Sequence, residues 1–455
     1  MMVNRWTVFW LAIACTWGGV FPSLASKDLL QAGPMVGHVD IVEATLWVQT
    51  SQACNVAIRY QGPDGTVYTS KTLPSEENHH FTTLHLLSGL TENTSYSYQV
   101  LINGKAVARD YPQTFKTQMH WKYRTKPPEF KFAFGSCLFV NDAPYDRPGT
   151  PYGDRFDIFE KLRETKPDFM IWLGDNTYFR ESDFTPARMN YRHAHTRALP
   201  ELQPFLASTS HYAIWDDHDY GPDNSDRSYA FKGEALELFK RYWANLSYGL
   251  PEAPGVFSTT SYSDVDFFYM DDRYYRAPNR LRDTQKPYWG AQQLQWLKDA
   301  LVNSRATFKI IVNGNQVHNS NTRFESFVHY QAEYRDFIDW LHLSAIEGIL
   351  FLSGDRHHTE LLKIDRPGAY PLYEFTSSPL TSGTPRAFTW EAENPLRVEG
   401  TLVWDQRNFG VIEVLGEGRS RRLLLRCIDA DGSLRWEKTI PKQDLQFPQA
   451  ATENE

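Results

Sequence analysis

Four strand-length apolar runs in this chain each end in side chains that bind metals or carry protons, and this recurrence constrains the fold more than any other feature. They are Phe132-Ala133-Phe134-Gly135-Ser136-Cys137, Met170-Ile171-Trp172-Leu173-Gly174-Asp175-Asn176-Thr177-Tyr178, Ala213-Ile214-Trp215-Asp216-Asp217-His218-Asp219 and Ile349-Leu350-Phe351-Leu352-Ser353-Gly354-Asp355-Arg356-His357-His358. Short continuous apolar runs read as buried strands, while segments 155–163, 229–243, 291–301 and 331–343 carry apolar residues at helical spacing. With further strand runs at 267–270 and 308–312, the alternation predicts a layered α/β domain. Ligands of open α/β sheets sit in the crevice beyond the carboxyl ends of the strands. The four tips are therefore expected to converge on one site, and their residue types predict a metal cluster.

A chain of 455 residues favours two or three domains with ample core. Residues 31–118 hold alternating runs such as Asn55-Val56-Ala57-Ile58-Arg59-Tyr60 and Ser95-Tyr96-Ser97-Tyr98-Gln99-Val100, with Gly62-Pro63-Asp64-Gly65 and Asn103-Gly104 between them. Period-two alternation between such turns predicts a small antiparallel β-sandwich. A polar stretch ending in Pro127-Pro128 reads as a linker. The α/β domain is expected over 129–440 and a C-terminal tail over 441–455. At the start, Arg5, the apolar 6–15 and Ser23-Leu24-Ala25-Ser26 follow the order of a secretory signal peptide, expected over 1–26; an uncleaved anchor or a buried first helix is the alternative. The protein is thus expected to be secreted or periplasmic, without a transmembrane span in the mature chain. A net charge of −8 gives no field that would draw polyanions, so nucleic acid is not expected as an obligatory partner.

Of four cysteines, Cys15 falls in the signal, and the odd remainder of Cys54, Cys137 and Cys427 argues against a disulfide framework. Cys54 and Cys427 are expected to be buried as small apolar residues, with pairing as the alternative. Cys137, at a strand tip, is a thiolate candidate or a buried free thiol. Asp175 and Tyr178 are spaced so that a carboxylate and a phenol can reach one hard cation, and a phenolate suits a trivalent ion such as ferric iron better than calcium or magnesium. For that motif alone, an ordinary turn with Asp175 capping a helix is the alternative. Asp216-Asp217-His218-Asp219 sets three carboxylates around an imidazole, which when buried requires a cation; for that motif alone a solvated loop is the alternative. Asp355 and His357 alternate so that they can serve two neighbouring ions.

Taken together, Gly135-Ser136-Cys137, Gly174-Asp175-Asn176-Thr177-Tyr178, Trp215-Asp216-Asp217-His218-Asp219, Asp272-Arg273-Tyr274-Tyr275-Arg276, Gln293-Leu294-Gln295-Trp296-Leu297 and Ser353-Gly354-Asp355-Arg356-His357 resemble the alkaline phosphatase D (PhoD-like) family of calcineurin-like metallophosphoesterases, relatives of the purple acid phosphatases. The resemblance runs from about residue 31 to about residue 440. The stretch from Thr83 to Tyr98 is similar to the late-strand turn and tyrosine of fibronectin type III-like domains. The fold implied is α/β, an N-terminal fibronectin III-like β-sandwich followed by a layered α/β/β/α metallophosphoesterase domain. The resemblance implies Fe3+ held by Cys137, Asp175, Tyr178 and His357, with Asp175 bridging to a second metal, Ca2+, faced by Asp217 and Asp355. It implies that His218 lies beside the phosphate.

The expected reaction is hydrolysis of a phosphate ester, with paired cations clamping the phosphoryl oxygens and activating water. His218 would then protonate the leaving alkoxide or stabilise phosphoryl charge. Arg273 or Arg276 would grip phosphate through a guanidinium, or form a salt bridge instead. Asn315, in Asn313-Gly314-Asn315-Gln316-Val317-His318, is the candidate at the remaining tip. Aromatic segments 191–206 and 274–289 are candidates for the wall over the phosphate, or scaffold. The substrate class is a small-molecule or a lipid or polymer phosphate ester. A related phospholipase or nucleotide diesterase is the alternative within the class, and a non-catalytic secreted binding protein the alternative outside it.

Overall fold

Buried aromatic and branched side chains bring two sheets face to face, and this packing sets where the strand tips end. The computed structural model describes residues 29–321, 323–385, 391 and 393–448, so the expected signal peptide lies outside the described residues. In the first sheet, Phe130–Gly135, Phe169–Leu173 and Ser210–Ile214 run parallel at the centre. Antiparallel strands Asn408–Leu415, Arg422–Asp429 and Leu434–Pro441 extend it on one side. The second sheet has Val265–Tyr269, Phe308–Val312, Ile349–Ser353 and Leu372–Thr376 in parallel, flanked by Ser258–Tyr262 and Glu360–Ile364.

Between the sheets Phe132 meets Phe267 edge-on at 5.2 Å and Phe134 meets Phe375 at 4.7 Å, the offset geometry that aromatic quadrupoles prefer. Gly410 lies under Phe134, where an added Cβ would stand 2.2 Å from the ring. Helices Ile158–Glu164 and Lys232–Tyr242 add buried faces to this core, and so do Ala291–Asn303 and Gln331–Leu343. The layered α/β architecture read from the sequence is therefore the one observed.

The N-terminal region is sandwich-like. Strands Leu30–Val39, Glu43–Thr50 and Thr82–Ser88 form one layer, and Cys54–Gln61 with Ser95–Ile102 the centre of the other. Val36, Leu46, Val48, Val56, Ile58 and Val100 fill the space between them. The first of these layers also continues the first sheet of the α/β region, because Val36 pairs in parallel with Ser210. Two hydrogen bonds cross the same junction: the Trp47 indole N–H donates to Arg241 O at 2.8 Å, and the buried Tyr98 hydroxyl to Ala207 O at 2.9 Å. At the other end, the turn Lys442–Leu445 buries Leu445, whose carbonyl accepts from Gly348 N–H at 2.9 Å. Cys54, Cys137 and Cys427 are free and buried. No helix among the described residues is long and apolar enough to cross a membrane.

Candidate metal centre

The parallel strands all point their carboxyl ends to one rim, so the four chemical tips meet there. Three of the four tips turn sharply to do so. Cys137, Asp175, Asp355 and His357 take φ values of 62°, 53°, 69° and 53°, the left-handed region that side chains rarely adopt. Glycines let neighbouring tips touch. A Cβ on Gly174 (φ 94°) would lie 2.6 Å from Asp216 Cβ, and one on Gly354 would lie 2.5 Å from Ser136. Asp219 ties two tips together: its Oδ1 accepts from Asp216 N–H at 2.6 Å, and its Oδ2 from Asn176 N–H at 3.0 Å and Asn176 Nδ2 at 2.8 Å.

Three donor groups result. Ligand atoms of Cys137, Asp175 and His357 lie within 4.8 Å of one another, as do those of Asp175, Asp217 and His218, and those of Asp175, Asp216 and Asp355. Asp175 belongs to all three. Its Oδ2 accepts from the Tyr178 hydroxyl at 3.1 Å and lies 3.5 Å from Cys137 Sγ, while Tyr178 Oη stands 3.3 Å from His357 Nε2. The six residues expected as ligands, Cys137, Asp175, Tyr178, Asp217, Asp355 and His357, are thus brought to one rim. His218 joins them, its ring stacked on Tyr178 at 4.3 Å.

This donor set fits cations. The His357 Nδ1–H donates to Gly383 O at 2.7 Å, which leaves the Nε2 lone pair turned toward Tyr178 and Asp175. Asp217 Oδ1 is buried without a hydrogen-bond partner, as is His218 Nδ1. Burial, with Cys137 and Asp217 adding to it, pushes the Asp175 carboxyl far above its ordinary range, and burial lifts Asp355 to about 7 and the Cys137 thiol to about 11. Burial alone would raise Asp217 too, but His218, Arg273 and the Asn224 N–H at 2.6 Å hold it below the carboxylate range. Like charges packed this tightly out of water are tolerated when a cation compensates them. One subset offers sulfur, nitrogen, phenol and carboxylate, and the other chiefly carboxylate oxygen.

A cavity of about 860 Å³ opens over the cluster, with Asp175, Asp217, His218, Asp355 and His357 on its floor. Arg273 and Asn315 do not line it. Arg273 is fully buried and spends its guanidinium on Asp216 (Nε at 2.6 Å), Glu325 (2.6 Å) and Ser225 O (3.2 Å). Asn315 donates Nδ2–H to Asp216 Oδ2 at 2.8 Å and accepts from Arg276. Both therefore stand behind the rim, holding Asp216 in place, because the apolar strand before them carries them under the surface. Segment 274–289 reaches the cavity through Asn279 and Lys286, whereas no residue of 191–206 lines it. The latter folds into helix Pro186–Arg197 and the turn that follows, as scaffold.

Asn224 and Glu325 also reach the cavity, and sequence reasoning passes over both. Asn224 directly follows Asp223, just after the Asp216–Asp219 cluster, a signal that could have flagged it. Glu325 sits in no motif, and only tertiary contact with Arg273 and Arg276 (2.8 Å) reveals it.

Residues 132–420 match the family model described as PhoD-like phosphatase, and residues 27–120 match one described as a domain of unknown function (DUF7800). Among curated proteins none matches the chain. Among solved structures, one described as PhoD is similar at a TM-score of 0.72 and 17% identity, covering 91% of this chain and 93% of that one. Purple acid phosphatase PPD1 from yellow lupin (Lupinus luteus) seeds is similar at a TM-score of 0.61 and 11% identity, covering 94% of this chain and 79% of its own. At these identities the two structures establish the shared fold.

Proposed function

This chain belongs to the PhoD-like phosphatase family and is a metal-dependent phosphoester hydrolase; on that premise we propose that it works with a ferric ion and calcium, outside the cytoplasm. The observation that carries the reading is the sharing of Asp175 between a sulfur-, nitrogen- and phenol-bearing group and a carboxylate group. Cys137, Asp175, Tyr178 and His357 would hold the ferric ion, and Asp175, Asp217 and Asp355 the calcium. When bound, the cations supply Lewis acidity for the phosphoryl oxygens and activate water. His218, on the cavity floor, donates a proton to the leaving alkoxide, with Asp223 Oδ1 3.9 Å from its Nε2. Arg273 and Asn315 act as positioning residues through Asp216. Export is supported by the order of charge, apolar run and small residues in 1–26.

The test is hydrolysis of paired chromogenic phosphomonoesters and phosphodiesters by the purified mature protein, with metal analysis, beside Asp175→Ala. Activity that follows iron and calcium and is lost in the variant supports the reading, and the substrate ratio distinguishes mono- from diesterase. A protein that binds neither ion, or stays active after Asp175→Ala, overturns it.

A further inference from the structure

One residue lining the cavity carries an ammonium that the fold leaves without a counter-charge. Lys286 is 9% exposed and lines the cavity. Its Nζ donates to Asn279 O at 2.9 Å and lies 4.4 Å from the centre of the Tyr330 ring. Among the described residues no carboxylate lies within 4 Å of it. An ammonium has three donors, so a carbonyl and a ring face leave it donor capacity and a full charge. At the edge of a cavity such a charge can make charge-assisted hydrogen bonds to an anionic ligand.

The neighbouring groups leave it unneutralised. His329 lines the same cavity, but its Nε2 is buried away from the opening. The nearby acid, Glu325, is already committed to Arg273 at 2.6 Å and Arg276 at 2.8 Å, so it does not neutralise Lys286. The unspent donors of Lys286 therefore suit an anion. The volume of about 860 Å³ lies in the range of about 300–1,000 Å³ typical of pockets that hold whole small molecules, so there is room beyond a single phosphoryl group.

We propose that Lys286 holds a second phosphate of the substrate while the first sits on the floor, so that the preferred substrates are phosphoesters bearing two phosphate groups. This rests on the reading of the floor as the hydrolytic site. Lys286 is then a specificity-determining residue, supplied by the segment that follows strand Val265–Tyr269.

The test avoids turnover. Calorimetry would compare a length series of α,ω-alkane bisphosphonates with alkyl monophosphonates of matched length, on metal-loaded protein, for wild type, Lys286→Met and Lys286→Arg. At the best length the bisphosphonate is expected to bind wild type about tenfold tighter or more, as a charge-assisted contact allows. That ratio falls to about one in Lys286→Met and recovers in part in Lys286→Arg, while the monophosphonate reports on folding in each protein. A ratio near one for wild type at every length, or one that survives Lys286→Met, overturns the proposal. Failure of the hydrolytic reading shows differently, as monophosphonate binding that is indifferent to Asp175→Ala.

Discussion

Replacing Asp175 by asparagine is expected to change stability in opposite directions with and without bound cations. Ligand atoms of Asp175 lie within 4.8 Å of those of Asp217 and of Asp355. At an effective dielectric near 20, each such carboxylate pair at 4.8 Å repels by about 3.5 kcal/mol, so the two pairs approach about 7 kcal/mol. Proton uptake by the cluster relieves much of this, and the asparagine loses acceptor strength toward the Tyr178 hydroxyl and His218 N–H, worth about 1 kcal/mol. The net expectation is that the metal-stripped variant is more stable than stripped wild type by about 1–3 kcal/mol. With cations present the order reverses. Wild type then gains about 4.1 kcal/mol at a thousandfold excess over Kd, more than that deficit and a gain the variant largely forfeits. Denaturant unfolding of both proteins, in chelator and in iron plus calcium, reads the two signs. An Asp175→Asn protein that is destabilised to the same extent in both conditions would refute the argument that cation compensation holds this cluster together.

Three further expectations follow from the same geometry. His218→Asn is expected to lower kcat by about 10²–10⁴ with metal content retained, since general-acid groups contribute that much; measured iron loss in step with activity would show a structural role instead. Tyr178→Phe should abolish the visible absorption expected of a ferric phenolate while leaving the far-ultraviolet dichroism unchanged, and a spectrum that keeps its band would remove Tyr178 from the ligand set. Burial alone would raise Glu360, but His358 (3.3 Å) and Arg397 (2.6 Å) hold it at about 2. A depressed carboxylate contributes stability that is present above its unfolded pKa of about 4.3 and is lost as pH falls toward 2, so the stability gap between wild type and Glu360→Gln should narrow over that window. Unfolding curves at pH 7, 4 and 3 check it, and a constant gap would count against the pairing.

The strands of the α/β region were legible because burial on both faces demands unbroken apolar runs. Phe169–Leu173 and Phe308–Val312 carry such runs, and helix Gln331–Leu343 has a 3.6-residue spacing. Helix Pro186–Arg197 escaped because its buried face includes Arg192, His193 and Arg197, which imitate a solvated surface in a hydropathy pattern. The continuity of the sandwich layer with the first α/β sheet escaped for another reason: the pairing of Val36 with Ser210 is made by backbone groups, which every residue carries.

By itself, the order of residues determined the chemistry available to this protein: carboxylates, an imidazole, a thiol and a phenol at the ends of strands, with glycines at Gly174 and Gly354 where tips must approach. It determined the layered fold for the same reason, since periodicity is a local property. Only tertiary structure decided which of those groups face one another. Arg273 and Arg276 look like phosphate grips in a sequence, yet the fold buries them against Asp216 and Glu325. Lys286, inconspicuous in a polar loop, is turned into the cavity with its charge unmatched. Charge on a side chain is written in the residue type; whether that charge is spent within the fold or left for a ligand depends on neighbours tens of residues away.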